Sequence, residues 1–279
     1  MNIINTEIKI GIEKPFSVLH ISDTHFTLAD ERNDQRKIEL AKERDKVFLP
    51  GEIKIKYVEE LSLKTGSKIV HTGDLIDFVS AANLDRAKKF IDNNDVLFIA
   101  GNHEFSLYVG EAFEDEAYRE QSLSYVQSYF PDNIRFNSKI INGVNFVGID
   151  NGYHRFDKEQ LEALKKEVEK GKPIILFMHN PLYEKSLFER AFKESRGLCA
   201  AIAATPHELL SVTKAQNERE YKKLKADSIT LETVEYIKSQ PLIKALLTGH
   251  LHYDYESYLT HSLPQFVTGI ETVRQINIT

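Results

Sequence analysis

The chain has 279 residues, 42% hydrophobic and 28% charged, and carries a net charge of −6. These are ordinary globular values, compatible with one large α/β domain or two small ones around a real core. No apolar run approaches the roughly 20 residues that span a bilayer, and no long basic run stands ready to displace phosphate counterions from a nucleic acid.

The start, MNIINTEIKIGIEKPF, has no basic head followed by an uninterrupted apolar segment, so it does not read as a secretory leader. A lone cysteine, Cys199, excludes an intramolecular disulfide and a thiolate metal cage. Within GLCAAIAA it reads as core filling in a helix that packs small residues. Together these features predict a cytoplasmic protein without a membrane or nucleic-acid partner.

In chain order, one pattern recurs: an apolar run ends abruptly in a loop of polar, metal-capable residues. FSVLHISDTHF delivers Asp23 and His25, and SKIVHTGDLID delivers Asp74 and Asp77. DVLFIAGNHE delivers Asn102 and His103, KPIILFMHNP delivers His179, and ALLTGHLH delivers His250 and His252. Runs of Val, Ile, Leu and Phe bounded by Gly, Pro or Asp are buried strands. Helical patterns lie between them in ADERNDQRKIELAKERDKVF, AANLDRAKKFIDN and DKEQLEALKKEVEKGKP.

Strands alternating with helices form βαβ units, in which ligands gather beyond the carboxyl ends of the strands. Two stretches break the alternation. Asn142-Gly143 sits between two β-rich runs as a hairpin turn, and the tail after His252 is rich in β-branched and aromatic residues. The expected fold is therefore α/β, a two-sheet β-sandwich flanked by helices, in a single domain over 1–279. A helical insertion at about 184–240 either caps the site or covers the outer face of a sheet.

Carboxylate, amide oxygen and imidazole together suit Mn, Fe, Zn or Co. Asp23, His25, Asp74, Asn102, His179, His250 and His252 are too many for one zinc site. They are the right number for two metals sharing a bridging carboxylate.

The ordered set DTH, GDLID, GNHE, MHNP and GHLH resembles the calcineurin-like metallophosphoesterase family, over most of the chain. The resemblance implies an αββα sandwich and two metal ions, with Asp23, His25 and His252 on one and Asn102, His179 and His250 on the other, bridged by Asp74. Residues two apart in extended backbone face one way, so GHLH would offer one imidazole to each ion. The implied chemistry is attack on phosphorus by a hydroxide between the metals, with His103 as general acid and Asp77 orienting it. His20 and His71 fall inside strands as packed or supporting residues; His154, His207 and His261 lie outside the motifs as surface or structural ones.

Phe78 and Ala100 stand where the protein-phosphatase branch of this family carries arginines. Their absence argues for a small phosphoester substrate, either a diester or a monoester of nucleotide type. Phe105, Tyr108 and Phe113 follow the GNHE motif as core residues or as platforms for a base. The alternative from another class is a non-catalytic metal-binding platform for protein interactions.

Overall fold

The computed structural model describes residues 1–47, 50–109, 116–197 and 201–279, so Cys199 and Phe113 lie outside the described residues. Eleven strands form two sheets among them. The first holds β1 (Asn2–Ile8), β2 (Phe16–Ile21), β3 (Lys68–His71), β4 (Leu97–Phe98) and β11 (Thr272–Ile278), in the order β1-β11-β2-β3-β4. The second holds β5 (Phe136–Ile141), β6 (Val144–Ile149), β7 (Ile174–Phe177), β8 (Ile243–Thr248), β9 (Tyr255–Thr260) and β10 (Leu263–Val267), in the order β5-β6-β7-β8-β10-β9.

Alternation along the strands builds three apolar layers. Val18, Val70, Phe146, Ile175, Phe177, Leu247 and Ile276 meet between the sheets. Leu19, Ile21 and Ile69 face outward onto α2 (Gly51–Thr65), α3 (Ala81–Asn94) and α4 (Glu116–Gln127). Val147, Ile149, Ile174 and Leu176 face the other way, onto α5 (Lys158–Glu169) and α9 (Ser228–Ser239). This is the α/β sandwich that the sequence pattern implies. No helix among the described residues is long and apolar enough to cross a membrane.

Local chemistry fixes the ends of these elements. Asp157 and Gln160 make a reciprocal capping box on α5, and Ser80 caps α3. Asn142 and Gly143, at φ 46° and 87°, turn β5 into β6 as a two-residue hairpin requires. Helix α2 was not apparent from periodicity, because its apolar Ile53 and Leu63 face solvent and Pro50 offers no side-chain cap.

The insertion divides. Its last helix, α9, sends Val234 and Ile237 onto the outer face of the second sheet. Leu187 and Ala191 of α6 (Lys185–Glu194) instead pack with Leu251, the residue between the two histidines of GHLH. Between them α7 (Ser211–Gln216) and α8 (Glu218–Leu224) meet at Asn217.

Candidate metal centre

Strands β2, β3 and β4 run parallel in one sheet, as do β6, β7, β8 and β10 in the other. The loops after β2, β3, β4, β7 and β8 converge at one end of the sandwich. The loops after β2 and β3 run side by side: Asp23 N–H donates to Gly73 O at 3.1 Å and His25 N–H to Asp74 O at 2.9 Å. From β8, His250 N–H reaches Asp23 Oδ2 at 3.0 Å. That closeness demands Gly249, since a Cβ there would stand 1.8 Å from Ser22 Oγ.

Five candidate ligands occupy left-handed backbone, with φ of 53° at Asp23, 49° at His25, 55° at Asp74, 68° at His250 and 59° at His252. Such residues cost on the order of 1–3 kcal/mol each and gather where function requires them. The GHLH pair is thus not an extended dipeptide. Strand β8 ends at Thr248, and a left-handed turn, rather than strand alternation, aims the two rings.

The ligand atoms form three overlapping groups, two of which frame the centre while the third, His25, Asp74 and His103, spans them. In the first, Asp23, His25 and His252 bring ligand atoms within 4.8 Å of one another. His252 Nε2 lies 3.2 Å from His25 Nε2 and 3.4 Å from Asp23 Oδ1. In the second, His179 Nε2 lies 3.1 Å from Asp74 Oδ2, from Asn102 Oδ1 and from His250 Nδ1. Asp74 Oδ2 also stands 3.9 Å from His25 Nε2, between the groups. All seven side chains from the sequence motifs are brought together here.

The donor chemistry fits cations. His179 Nδ1 is 2.8 Å from Thr72 O and must donate to it, which leaves Nε2 with a lone pair in the neutral ring. That lone pair faces two oxygen acceptors, Asp74 Oδ2 and Asn102 Oδ1, and the His250 Nδ1 nitrogen, a convergence that suits a cation. Burial alone would lower the His179 pKa, but Asp74, Asp23 and the Thr72 carbonyl push it up to about 10. Asp23 Oδ1 is buried with no hydrogen-bond partner, which suits a second cation.

Asp77 supports this centre differently from the expectation. Its carboxylate accepts from His25 Nδ1 at 3.0 Å and from Arg44 Nε and Nη2 at 2.7 and 2.9 Å. Despite burial, Arg44 and His25 hold it well below the usual carboxylate range. The main-chain carbonyl of Asp77, rather than its side chain, receives His103 Nδ1–H at 2.6 Å; the carboxylate is 3.4 Å away. His103 stacks edge-on against His25, with ring centroids 4.7 Å apart.

Three participants escaped the sequence reading. Arg44 ends α1 (Gln35–Arg44) among other basic residues, with no motif to mark it. Glu104, inside GNHE, is fully buried and accepts N–H bonds from Asp74, Leu75, Ile76 and Gly101 at 2.6–3.2 Å, tying two loops together. His154 was expected at the surface or in a structural role. It is 1% exposed, and its ring lies 5.3 Å from that of His250. The other histidines match expectation: His71 and His20 are buried and bonded to Thr24 and Thr72, and His207 and His261 are exposed. Phe105 is core, and Tyr108 is engaged by Asp34, Arg36 and Lys37, so neither offers a platform for a base.

A family model for calcineurin-like phosphoesterases matches residues 16–254, from the start of β2 to just past His252. The chain belongs to the calcineurin-like phosphoesterase family. As a metallophosphoesterase it is a phosphoester hydrolase with a metal-ion cofactor. Among solved structures it is similar to a dimetal phosphatase from Danio rerio, at 13% identity and a TM-score of 0.51, over 91% of this chain and 88% of that one. A 5'-nucleotidase from Candida albicans matches at 14% identity and a TM-score of 0.42. That match covers 92% of this metallophosphoesterase but 46% of the nucleotidase, so the chain spans about half of that protein. A calcineurin-like phosphoesterase from Bacillus subtilis matches at 13% identity and a TM-score of 0.41, over 91% and 81% of the two chains. No curated protein sequence matches significantly.

Proposed function

We propose that this metallophosphoesterase binds two divalent or trivalent metal ions and hydrolyses a phosphodiester or a small phosphomonoester, with nucleotides among the candidate substrates. The observation that carries the reading is the pair of acceptor clusters meeting at Asp74 Oδ2. Asp23, His25 and His252 would hold one ion; Asn102, His179 and His250 the other; Asp74 both. Carboxylate, amide and imidazole donors suit Mn, Fe, Zn or Co. When bound, the ions supply an activated water and neutralise charge on the phosphoryl oxygens.

The chain's own residues do the rest. Thr72 O and Asp77 fix the tautomers of His179 and His25, so that each presents Nε2 to the centre. The Asp77 carbonyl fixes Nδ1–H of His103. Its Nε2 can then deliver a proton to a leaving oxygen beside the centre. His252 has a side chain 40% exposed, and so forms the solvent edge through which a substrate enters. Phe78 and Ala100 are buried and apolar, which removes the bidentate guanidinium grip on a phosphomonoester dianion and favours substrates of lower charge.

The test compares kcat/KM on p-nitrophenyl phosphate and bis-p-nitrophenyl phosphate with Mn²⁺-loaded protein. Metal-dependent turnover that favours the diester is expected. Absence of metal-dependent turnover on both esters would overturn the proposal in favour of a non-catalytic platform.

A further inference from the structure

The loop after β6 repeats the pattern of the other site loops, for the apolar run NFVGI ends in Asp150, Asn151 and His154. Strand β6 is parallel to β7, so this loop emerges at the same end of the sandwich. It is wedged between two site loops. A Cβ on Gly152 would lie 2.7 Å from Gly101 C and 2.9 Å from Asn102 N. Asn151 Oδ1 accepts from Asn180 N–H at 2.9 Å, and Asn151 Nδ2 donates to Asn180 O at 2.8 Å, beside His179. Asp150 accepts from Gly152 N–H at 2.8 Å while Arg135 and Arg119 hold its other oxygen.

This rigid loop presents His154 in an unfavourable state. Its backbone is left-handed, at φ 60°, which a non-glycine residue adopts at a cost. Both ring nitrogens are buried without a hydrogen-bond partner, a further desolvation cost. The only comparable orphan among the candidate ligands is Asp23 Oδ1, which a bound cation would satisfy. Neither nitrogen of His154 joins a cluster of ligand atoms within 4.8 Å of one another, so an ion on His179 and His250 does not satisfy it directly. The ring lies edge-on to His250, with centroids 5.3 Å apart, and so borders the centre on its Asn102–His179–His250 side. A cation adds to this side: Lys223, of α8, lies within electrostatic range of His154 and His250.

We propose that His154 donates a hydrogen bond to a non-bridging phosphoryl oxygen of the substrate on the Asn102–His179–His250 side of the centre. It thereby supplies a hydrogen-bond donor where Phe78 and Ala100 leave no arginine. The inference rests on the phosphoester-hydrolase reading.

The experiment loads wild type, His154→Phe and His154→Gln with Mn²⁺, measures bound metal by mass spectrometry, and titrates inorganic phosphate by calorimetry. Phenylalanine keeps a ring against His250 and removes the donor; glutamine retains a donor. The expected result is unchanged metal content, phosphate affinity weakened about 10-fold or more in His154→Phe, and partial recovery in His154→Gln. With bis-p-nitrophenyl phosphate, KM should rise more than kcat falls. Unchanged phosphate affinity in His154→Phe would overturn the inference, since the histidine then only packs or holds a buried water. Metal loss that parallels phosphate loss would also overturn it, by making His154 a support for His250. If His154→Phe does not fold, unaltered wild-type affinity in the donor-less His154→Leu has the same force. Wild type that binds no phosphate in the presence of Mn²⁺ would overturn the hydrolase reading and this inference together.

Discussion

Metal binding should expel a proton from His179. Asp74 and Asp23 push the pKa of that buried imidazole up to about 10, and Asp74 Oδ2, Asn102 Oδ1 and His250 Nδ1 each lie 3.1 Å from its Nε2. An ion in that position needs the neutral ring. At pH 7 the group stands about three units below its pKa, so apparent affinity at this site is reduced about 1,000-fold, on the order of 4 kcal/mol. Affinity should climb about tenfold per pH unit between pH 6 and 9, then flatten. Calorimetry in buffers of different ionisation heat should count about one proton released by His179 at pH 8. Because bound water can release protons too, long-range ¹⁵N–¹H spectra of the metal-free protein supply the direct check. One imidazole should stay doubly protonated at pH 8, and it should vanish in His179→Gln. If every imidazole is neutral at pH 8 and affinity is flat with pH, the convergence of acceptors on His179 has been misread.

The remaining predictions address the surrounding shell. Arg44→Met leaves Asp77 buried without its guanidinium and should weaken metal affinity about 10–100-fold, as supporting-residue substitutions typically do; metal titrations measure it, and an unchanged affinity would count against a positioning role. Glu104→Gln replaces a carboxyl group that accepts four backbone N–H bonds and whose pKa burial and Asp74 push up to about 7, and should cost on the order of 3 kcal/mol in urea unfolding. Lys54 is buried beneath the Asp23 loop, donates to Ser22 O, and is lowered by burial to about 8. Since the unfolded chain keeps this proton up to a pKa of about 10.4, stability from this group rises with pH through the window above 8. Urea midpoints of wild type relative to Lys54→Met should therefore increase from pH 7.5 to 10, and parallel curves would refute the assignment.

Much of this was legible because metal ligands at strand ends leave a strong local signature: an apolar run, then Asp, Asn or His beside glycine. Gly249 and Gly101 carry that signature for a visible reason, since no Cβ fits beside Asp23 and Asp74. What stayed hidden acts across the chain. Arg44 reaches Asp77 from a helix 33 residues away, and nothing local distinguishes it from its basic neighbours. Glu104 was masked by the more reactive residues of its own motif. His154 was read as surface or structural because NFVGIDNGYH was read for its hairpin and not for its strand end. The turn that aims His250 and His252 was also hidden, because the left-handed preference of Asp and His is a weak statistical one that no single position reveals.

The most direct test of the central claim is the metal stoichiometry of protein purified and reloaded with Mn²⁺, measured beside Asp74→Asn. Two ions per chain in the wild type, and loss of both sites' affinity together with turnover in the variant, are what a shared Asp74 Oδ2 predicts. One ion per wild-type chain, or an Asp74→Asn variant that keeps two ions and full activity, would contradict it.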